Sequence, residues 1–248
     1  MGEEYTLKMG EKREVRENAE ISLPGNEPLL SAKGVFKIFS GPAGDLEILR
    51  GVDFAMKKGG MCFILGRSGS GKTTLLNILA TLDRPTRGEI FFREKNLTAL
   101  GERDLARYRN GKVGFVFQFY YLLPELDILE NVMLPGLMAK GRNLKSRAEA
   151  LLEKLGLSDR IHHSPARLSG GELQRAAIAR SLINDPEIVF CDEPTGNLDE
   201  KTAEQVLELI FGLNRVEKRS FCIVTHEKSM IRDFGTVYHL HEGRLERG

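Results

Sequence analysis

Nine residues, Gly66 to Thr74, read GRSGSGKTT and fit the spacing G-x-x-x-x-G-K-[ST]. That spacing builds a phosphate cradle. Glycines at Gly66, Gly69 and Gly71, with Arg67, Ser68 and Ser70 between them, let backbone N–H groups wrap phosphate oxygens. Lys72 then reaches the β- and γ-phosphates, Thr73 ligates magnesium, and Thr74 continues into the helix. The run EIVFCDEP supplies the carboxylates such a site needs. Four apolar residues, Ile188 to Cys191, lead into Asp192 and Glu193. Asp192 at the strand tip can hold magnesium, usually through water, and Glu193 is placed to polarise an attacking water. Strands often end in acids, so this run has meaning only with the phosphate loop upstream.

A third stretch, LSGGELQR from Leu168 to Arg175, reads as another helix start. Ser169 is the N-cap and Glu172, three residues on, completes a capping box. Gly170 and Gly171 leave the first turn's N–H groups uncovered, and those groups with the helix dipole favour an anion. One chain thus carries two phosphate-competent helix starts, about a hundred residues apart.

Something must hold these loops together. MCFIL (61–65), VGFVF (113–117), EIVFC (187–191), FCIVT (221–225) and TVYHL (236–240) are short runs rich in Val, Ile and Phe, suited to buried strands. Helical periods lie between them. KTTLLNILATL follows the phosphate loop. Leu144, Ala148, Leu151, Leu152 and Leu155 share one face, which Gly156 ends, and Val206, Leu209, Ile210 and Leu213 share another. Strands alternating with helices predict an α/β fold around a mostly parallel, covered sheet. Residues 119–172 show helical periods and no good strand, which predicts a helical subdomain inserted into the sheet domain. Parallel strands place their carboxyl ends along one edge, where ligands bind. Gln118 after VGFVF and His226 after FCIVT gain interest there, although either could be a surface loop residue. Gln118 could touch magnesium or water, and His226 the γ-phosphate.

The chain has 248 residues, 41% apolar and 29% charged, at net charge +1. That suffices for one cored domain and offers no basic stripe for nucleic acid. Three cysteines, each inside an apolar run, read as small buried hydrophobes rather than a disulfide framework. No stretch approaches the ~20 apolar residues of a membrane span, and the first residues lack the apolar segment of a secretory signal. Residues 1–28 are mixed in charge and poor in apolar residues, and are expected to form a mobile tail.

The order of motifs resembles the ATP-binding-cassette (ABC) ATPases: phosphate loop, post-strand glutamine, LSGGELQR, a strand ending DEP, then GNLD (196–199) and THE (225–227). The resemblance covers about residues 29–248, and LSGGE is its most specific element. It implies a P-loop NTPase (RecA-like) core at 29–118 and 173–248, with an antiparallel β part near the N-terminus and the helical subdomain at 119–172. It implies ATP and magnesium as ligands. It also implies a homodimer in which each ATP lies between one chain's phosphate loop and the partner's Ser169, Gly170, Gly171 and Glu172. An aromatic ring before the phosphate loop stacks on adenine in this family. Phe39 matches that position, with Phe36 as a competitor. Cys191 stands where alanine is frequent.

Since the chain has no span, the resemblance implies separate integral membrane permease subunits, with this chain peripheral at the cytoplasmic face of the cell inner membrane. GFVFQFYYLLPELDILENVMLP and DEPTGNLD are most similar to the ATPases of bacterial lipoprotein-releasing systems. Macrolide or peptide exporters and cell-division complexes are the neighbouring alternatives. DNA-repair relatives carry a long coiled coil and translation relatives carry two cassettes. This chain has neither. The run FYYLL, Phe119 to Leu123, either docks the membrane partner or is buried core. The docking reading predicts Tyr120 and Tyr121 at the partner and Leu123 in the core.

Overall fold

The structure, a computed structural model, describes residues 27–42, 44–227, 230–231 and 235–248. The expected tail therefore lies outside the described residues, apart from Glu27 and Pro28. Strands β1 (Leu30–Gly41) and β2 (Gly44–Met56) form an antiparallel pair, extended by β4 (Arg87–Phe92) and β5 (Lys95–Asn96) into a four-stranded sheet. This is the antiparallel part near the N-terminus that the family resemblance implies.

The five apolar runs lie side by side in a second sheet. Strands β3 (Met61–Leu65), β6 (Val113–Val116), β7 (Ile188–Asp192), β8 (Ser220–Thr225) and β9 (Thr236–His241) take the spatial order β9-β3-β8-β7-β6, all parallel. Strand β10 (Arg244–Arg247) closes the far edge antiparallel.

These runs are continuously apolar because both sheet faces are covered. Phe63, Val189, Cys191, Phe221 and Ile223 pack into one core. Cys62, Ile64, Ile188, Phe190, Cys222 and Val224 pack into the other. The split follows the two-residue period of a strand. On the second face lie α1 (Lys72–Leu79), α2 (Glu102–Lys112) and the antiparallel sheet. On the first lie α3 (Ile128–Met138), α4 (Leu144–Lys154), α5 (Gly170–Leu182) and α6 (Glu200–Glu217). The three cysteines are free and buried, as their apolar settings predicted, and burial pushes the Cys62 and Cys191 thiols up.

Residues 119–172 contain no strand. They hold α3, α4, two short 3-10 turns (Ser158–Arg160 and Pro165–Arg167) and the start of α5. Helix α4 ends as Gly156 foretold. Gly156 takes φ +70°, its N–H donates to Glu153 O, and Leu157 N–H donates to Leu152 O. This paired closure satisfies carbonyls that would otherwise be orphaned. Helix α5 runs unbroken across the expected boundary at 172–173, so one rigid rod joins the helical part to the sheet.

One expectation is corrected. Leu123 is 43% exposed and is not core. Its neighbour Leu122 packs against the core instead. The reason is local. Tyr121 adopts φ +47°, and Asn131, wholly buried on α3, accepts Leu123 N–H and donates to Leu123 O. That pinned backbone points Leu122 inward and Leu123 outward. Leu122→Ala is therefore expected to cost about 2 kcal/mol. Leu123→Ala should stay within about 0.5 kcal/mol of wild type. Urea unfolding of the two variants decides, and equal losses would sink the assignment.

Candidate nucleotide site

The parallel register brings the chemistry to one edge. Leu65 pairs with Thr225, and Asp192 with Val224, so the loops after β3, β7 and β8 leave the sheet together. A cavity of about 780 Å³ opens there. Its wall includes Gly66, Arg67, Ser68, Gly69, Gly71, Lys72, Thr73, Thr74, Gln118, Glu193 and His226. Of the phosphate loop only Ser70 turns away, into a buried position where its hydroxyl has no partner.

Helix α1 begins at Lys72 without a side-chain cap, its N-cap being Gly71 at φ +97°. A Cβ at Gly71 would lie 2.8 Å from Ile48 Cγ2. Glycine is therefore required both for the left-handed turn and for the close approach of β2. The uncapped N–H groups of this first turn face the cavity and suit a phosphate.

The charged groups are interlocked. Lys72 is only 5% exposed. Its ammonium donates to Arg67 O at 3.2 Å and lies 3.5 Å from Glu193 Oε1. Glu193 Oε2 meets His226 Nδ1 at 3.0 Å. Thr73 Oγ1 donates to Asp192 Oδ1 at 3.1 Å. Burial pushes the Asp192 carboxyl above its ordinary range, and neighbouring Glu193 adds to this. The Thr73 hydrogen bond and Lys72 pull it back. Glu193 takes φ +42° immediately after Asp192, with its N–H donating to Val224 O. That left-handed turn is costly for a non-glycine residue and sends the two carboxylates in different directions.

Phe39 does not reach the cavity wall. It is exposed, with the Lys37 ammonium 4.9 Å from its ring centroid. It pairs across the strands with Leu46, two positions before the wall residue Ile48 on β2. Phe36 lies instead against Gly51. Ile48 and His239 line the cavity and were not foreseen. Their approach depends on how β2 and β9 pass the phosphate loop, which no motif encodes.

The second helix start does form its capping box. Ser169 Oγ accepts from Glu172 N–H, and Glu172 Oε2 accepts from Ser169 N–H at 2.8 Å. Yet none of Ser169, Gly170, Gly171 and Glu172 lines the cavity of its own chain. Part of their identity has a packing reason. A Cβ on Gly171 would sit 2.4 Å from Thr202 Cγ2 on α6, and one on Gly170 would sit 3.1 Å from Leu198 Cδ2 and from the Tyr120 hydroxyl.

The Ser169 N–H, the Ser169 hydroxyl and the Arg160 guanidinium hold the Glu172 carboxyl down at about 2. A depressed carboxylate contributes stability that is full above its ordinary pKa and lost as pH falls toward the folded value. The stability gap between wild type and Glu172→Gln should thus be widest above about pH 5 and close toward about pH 2. Urea unfolding across that range measures it, and a pH-independent gap would show that the charge contributes nothing.

Residues 49–196 match the family described as ABC transporter. The lipoprotein-releasing system ATP-binding protein LolD of Alcanivorax borkumensis is 45% identical over 222 residues, 89% of this chain and 97% of that one. A dimeric bacterial ABC transporter cassette superimposes with a TM-score of 0.80 at 38% identity, over 88% of this chain and 97% of that one. A second dimeric structure, a post-hydrolysis state bound to ADP and phosphate, fits with the same score, identity and coverage. A family match over more than half the chain, and a relative nearly half identical along almost its whole length, make this chain a member of the ABC transporter family.

Proposed function

We propose that this chain is the ATP-hydrolysing subunit of a lipoprotein-releasing complex, paired head to tail with a second copy. It sits peripherally on integral membrane subunits at the cytoplasmic face of the inner membrane. The observation that carries this reading is the helix start at Ser169. It is exposed, capped and ready for an anion, yet it is absent from the cavity of its own chain. A second copy turned head to tail gives it a phosphate to serve. Among the described residues no helix is long and apolar enough to cross a membrane.

The donors at the phosphate loop fit a hard divalent cation. Thr73 Oγ1 and Asp192 Oδ1 offer oxygens 3.1 Å apart, and Gln118 stands on the same wall. Thr73, Asp192 and Gln118 would hold a magnesium ion whose remaining ligands would come from phosphates and water. Held there, magnesium would supply neutralising charge at the β- and γ-phosphates. Lys72 exchanges its contact with Glu193 for the γ-phosphate, which frees the carboxylate. Glu193 then orients a water in line with the γ-phosphorus and takes its proton as the bond to the β-phosphate oxygen breaks. His226 holds Glu193 through Oε2 and faces the γ-phosphate. The partner's Ser169, Gly170 and Gly171 stabilise the phosphoryl charge from the other side. Phe39, exposed on β1 across from Leu46, offers its ring to adenine.

The membrane subunit docks beside Gln118. A groove of about 540 Å³ is lined by Leu82, Phe117, Tyr121, Met138 and Arg180 among others. Tyr121 is 63% and Met138 76% exposed there, a density of large apolar side chains that marks an interface. Of the two tyrosines, Tyr121 faces the partner, while Tyr120 is half-buried with its hydroxyl toward Gly170.

Two experiments test this. Purified with its membrane subunits and placed in vesicles carrying a triacylated lipoprotein, the wild type should release the lipoprotein on adding ATP. Glu193→Gln should bind ATP and release nothing, and Tyr121→Ala should fold normally but lose the membrane subunits. ATP turnover without release would reject the lipoprotein and leave the ATPase standing. The second experiment mixes Ser169→Arg chains with Lys72→Ala chains, each inactive alone. A head-to-tail dimer then has one composite site with both lesions and one with neither, so activity should partly return. No recovery would place both lesions in one chain's site.

A further inference from the structure

Between Val116, where β6 ends, and Ile128, where α3 begins, the chain has no regular secondary structure. Its backbone is held by side chains reaching in from elsewhere. Arg180 on α5 donates through both terminal nitrogens to the carbonyls of Tyr120 and Tyr121. Asn131 on α3 donates to the carbonyls of Leu123, Leu126 and Asp127. At the end nearest the cavity, Asn197 Nδ2 donates to Gln118 O at 2.9 Å. Gln118 lines the nucleotide cavity, whereas Asn197 does not.

Asn197 belongs to a turn that begins at Glu193. Gly196 N–H donates to Glu193 O, Leu198 N–H donates to Thr195 O, and Asp199 caps α6 through Thr202 N–H. Thr195 is buried, with its hydroxyl toward Met230 Sδ. The turn is thus anchored at both ends. Within it, Gly196 lies between the two reactive side chains. A Cβ built on Gly196 falls 3.2 Å from Gln118 Nε2 and 3.5 Å from Glu193 Oε2. The segment that carries Glu193 therefore reaches across and grips Gln118 two ways, by close packing at Gly196 and by a hydrogen bond at Asn197.

We propose that Asn197 is a positioning residue that fixes Gln118 against Glu193, so that the groups serving the metal and the attacking water keep one geometry. An irregular segment cannot set its own position to the fraction of an ångström that such chemistry needs. A side-chain amide on a carbonyl can, because it fixes the backbone while leaving the Gln118 side chain free for the cavity. The inference rests on the reading that Gln118 serves that site.

Four chains decide it: Gln118→Ala, Asn197→Ala, Asn197→Asp and the double variant Gln118→Ala/Asn197→Ala. Each is measured for ATP turnover against magnesium concentration, for nucleotide affinity and for melting temperature. Asn197→Ala should lower kcat about 10- to 100-fold, the usual effect of removing an outer-shell partner. It should raise the magnesium midpoint while nucleotide affinity and melting temperature hold. Asn197→Asp keeps the shape but cannot donate, and should be at least as impaired. The double variant should turn over no more slowly than Gln118→Ala alone, since a residue acting through Gln118 has nothing left to act on. Additive losses in the double variant overturn the proposal and would place Asn197 at work elsewhere, for instance at the face between two copies. Normal turnover in Asn197→Asp overturns it too, because shape alone then suffices. Normal turnover in Gln118→Ala would instead sink the underlying reading of Gln118.

Discussion

The parallel pairing of β3 with β8, and of β8 with β7, is the constraint on which the rest depends. Leu65 stands beside Thr225, and Asp192 beside Val224, so three loops leave the sheet at one level. A slip of one residue would exchange the two faces of a strand. It would drive Phe63 or Phe190 into the wrong core and carry Lys72, Glu193 or His226 out of reach of one another. The register is held because both faces are buried, and each strand alternates between two separate cores. Packing that has no chemistry of its own thereby sets the geometry of the chemistry.

Within that frame the site is built as a set of competing contacts. Lys72 is too deeply buried to remain without an anion, and Glu193 and the Arg67 carbonyl supply its partners. In the proposed mechanism those are the contacts a γ-phosphate displaces. Glu193 retains His226 on its other oxygen, so release by Lys72 does not set it adrift. On the proposed reading of Glu193 as general base, arrival of nucleotide and readiness of that base are one electrostatic event.

The second helix start and the irregular segment after β6 link this event to the surface. Helix α5 carries the capped Ser169 at one end and Arg180 near the other, and Arg180 holds the carbonyls of Tyr120 and Tyr121. Gly170 lies against Tyr120 and Leu198, and Gly171 against α6. The LSGGE run thus has duties toward its own chain as well as those proposed toward a partner. Its glycines sit in close packing against neighbouring side chains whatever anion the helix meets.

Much was legible in the sequence because it depends on local spacing. The phosphate loop, the paired acids after an apolar run, the Ser169–Glu172 capping box and the glycine stop at Gly156 are all short-range patterns. Each formed as its residues dictate. The five buried strands were legible for the same reason, since a doubly covered strand must be apolar throughout. Tertiary structure decided what depends on long-range approach. Ile48 and His239 reach the cavity only because β2 and β9 pass beside the phosphate loop. Phe39 stands back from the wall because β1 carries it outward with Lys37 over its ring. Leu123 turns outward and Leu122 inward because Asn131, eight residues further on, pins the backbone between them and α3. Asn197 gains its hold on Gln118 across 79 positions of chain. Residue type and spacing fix which bonds a segment can make. Which of them form is settled by what the rest of the fold brings within hydrogen-bond distance.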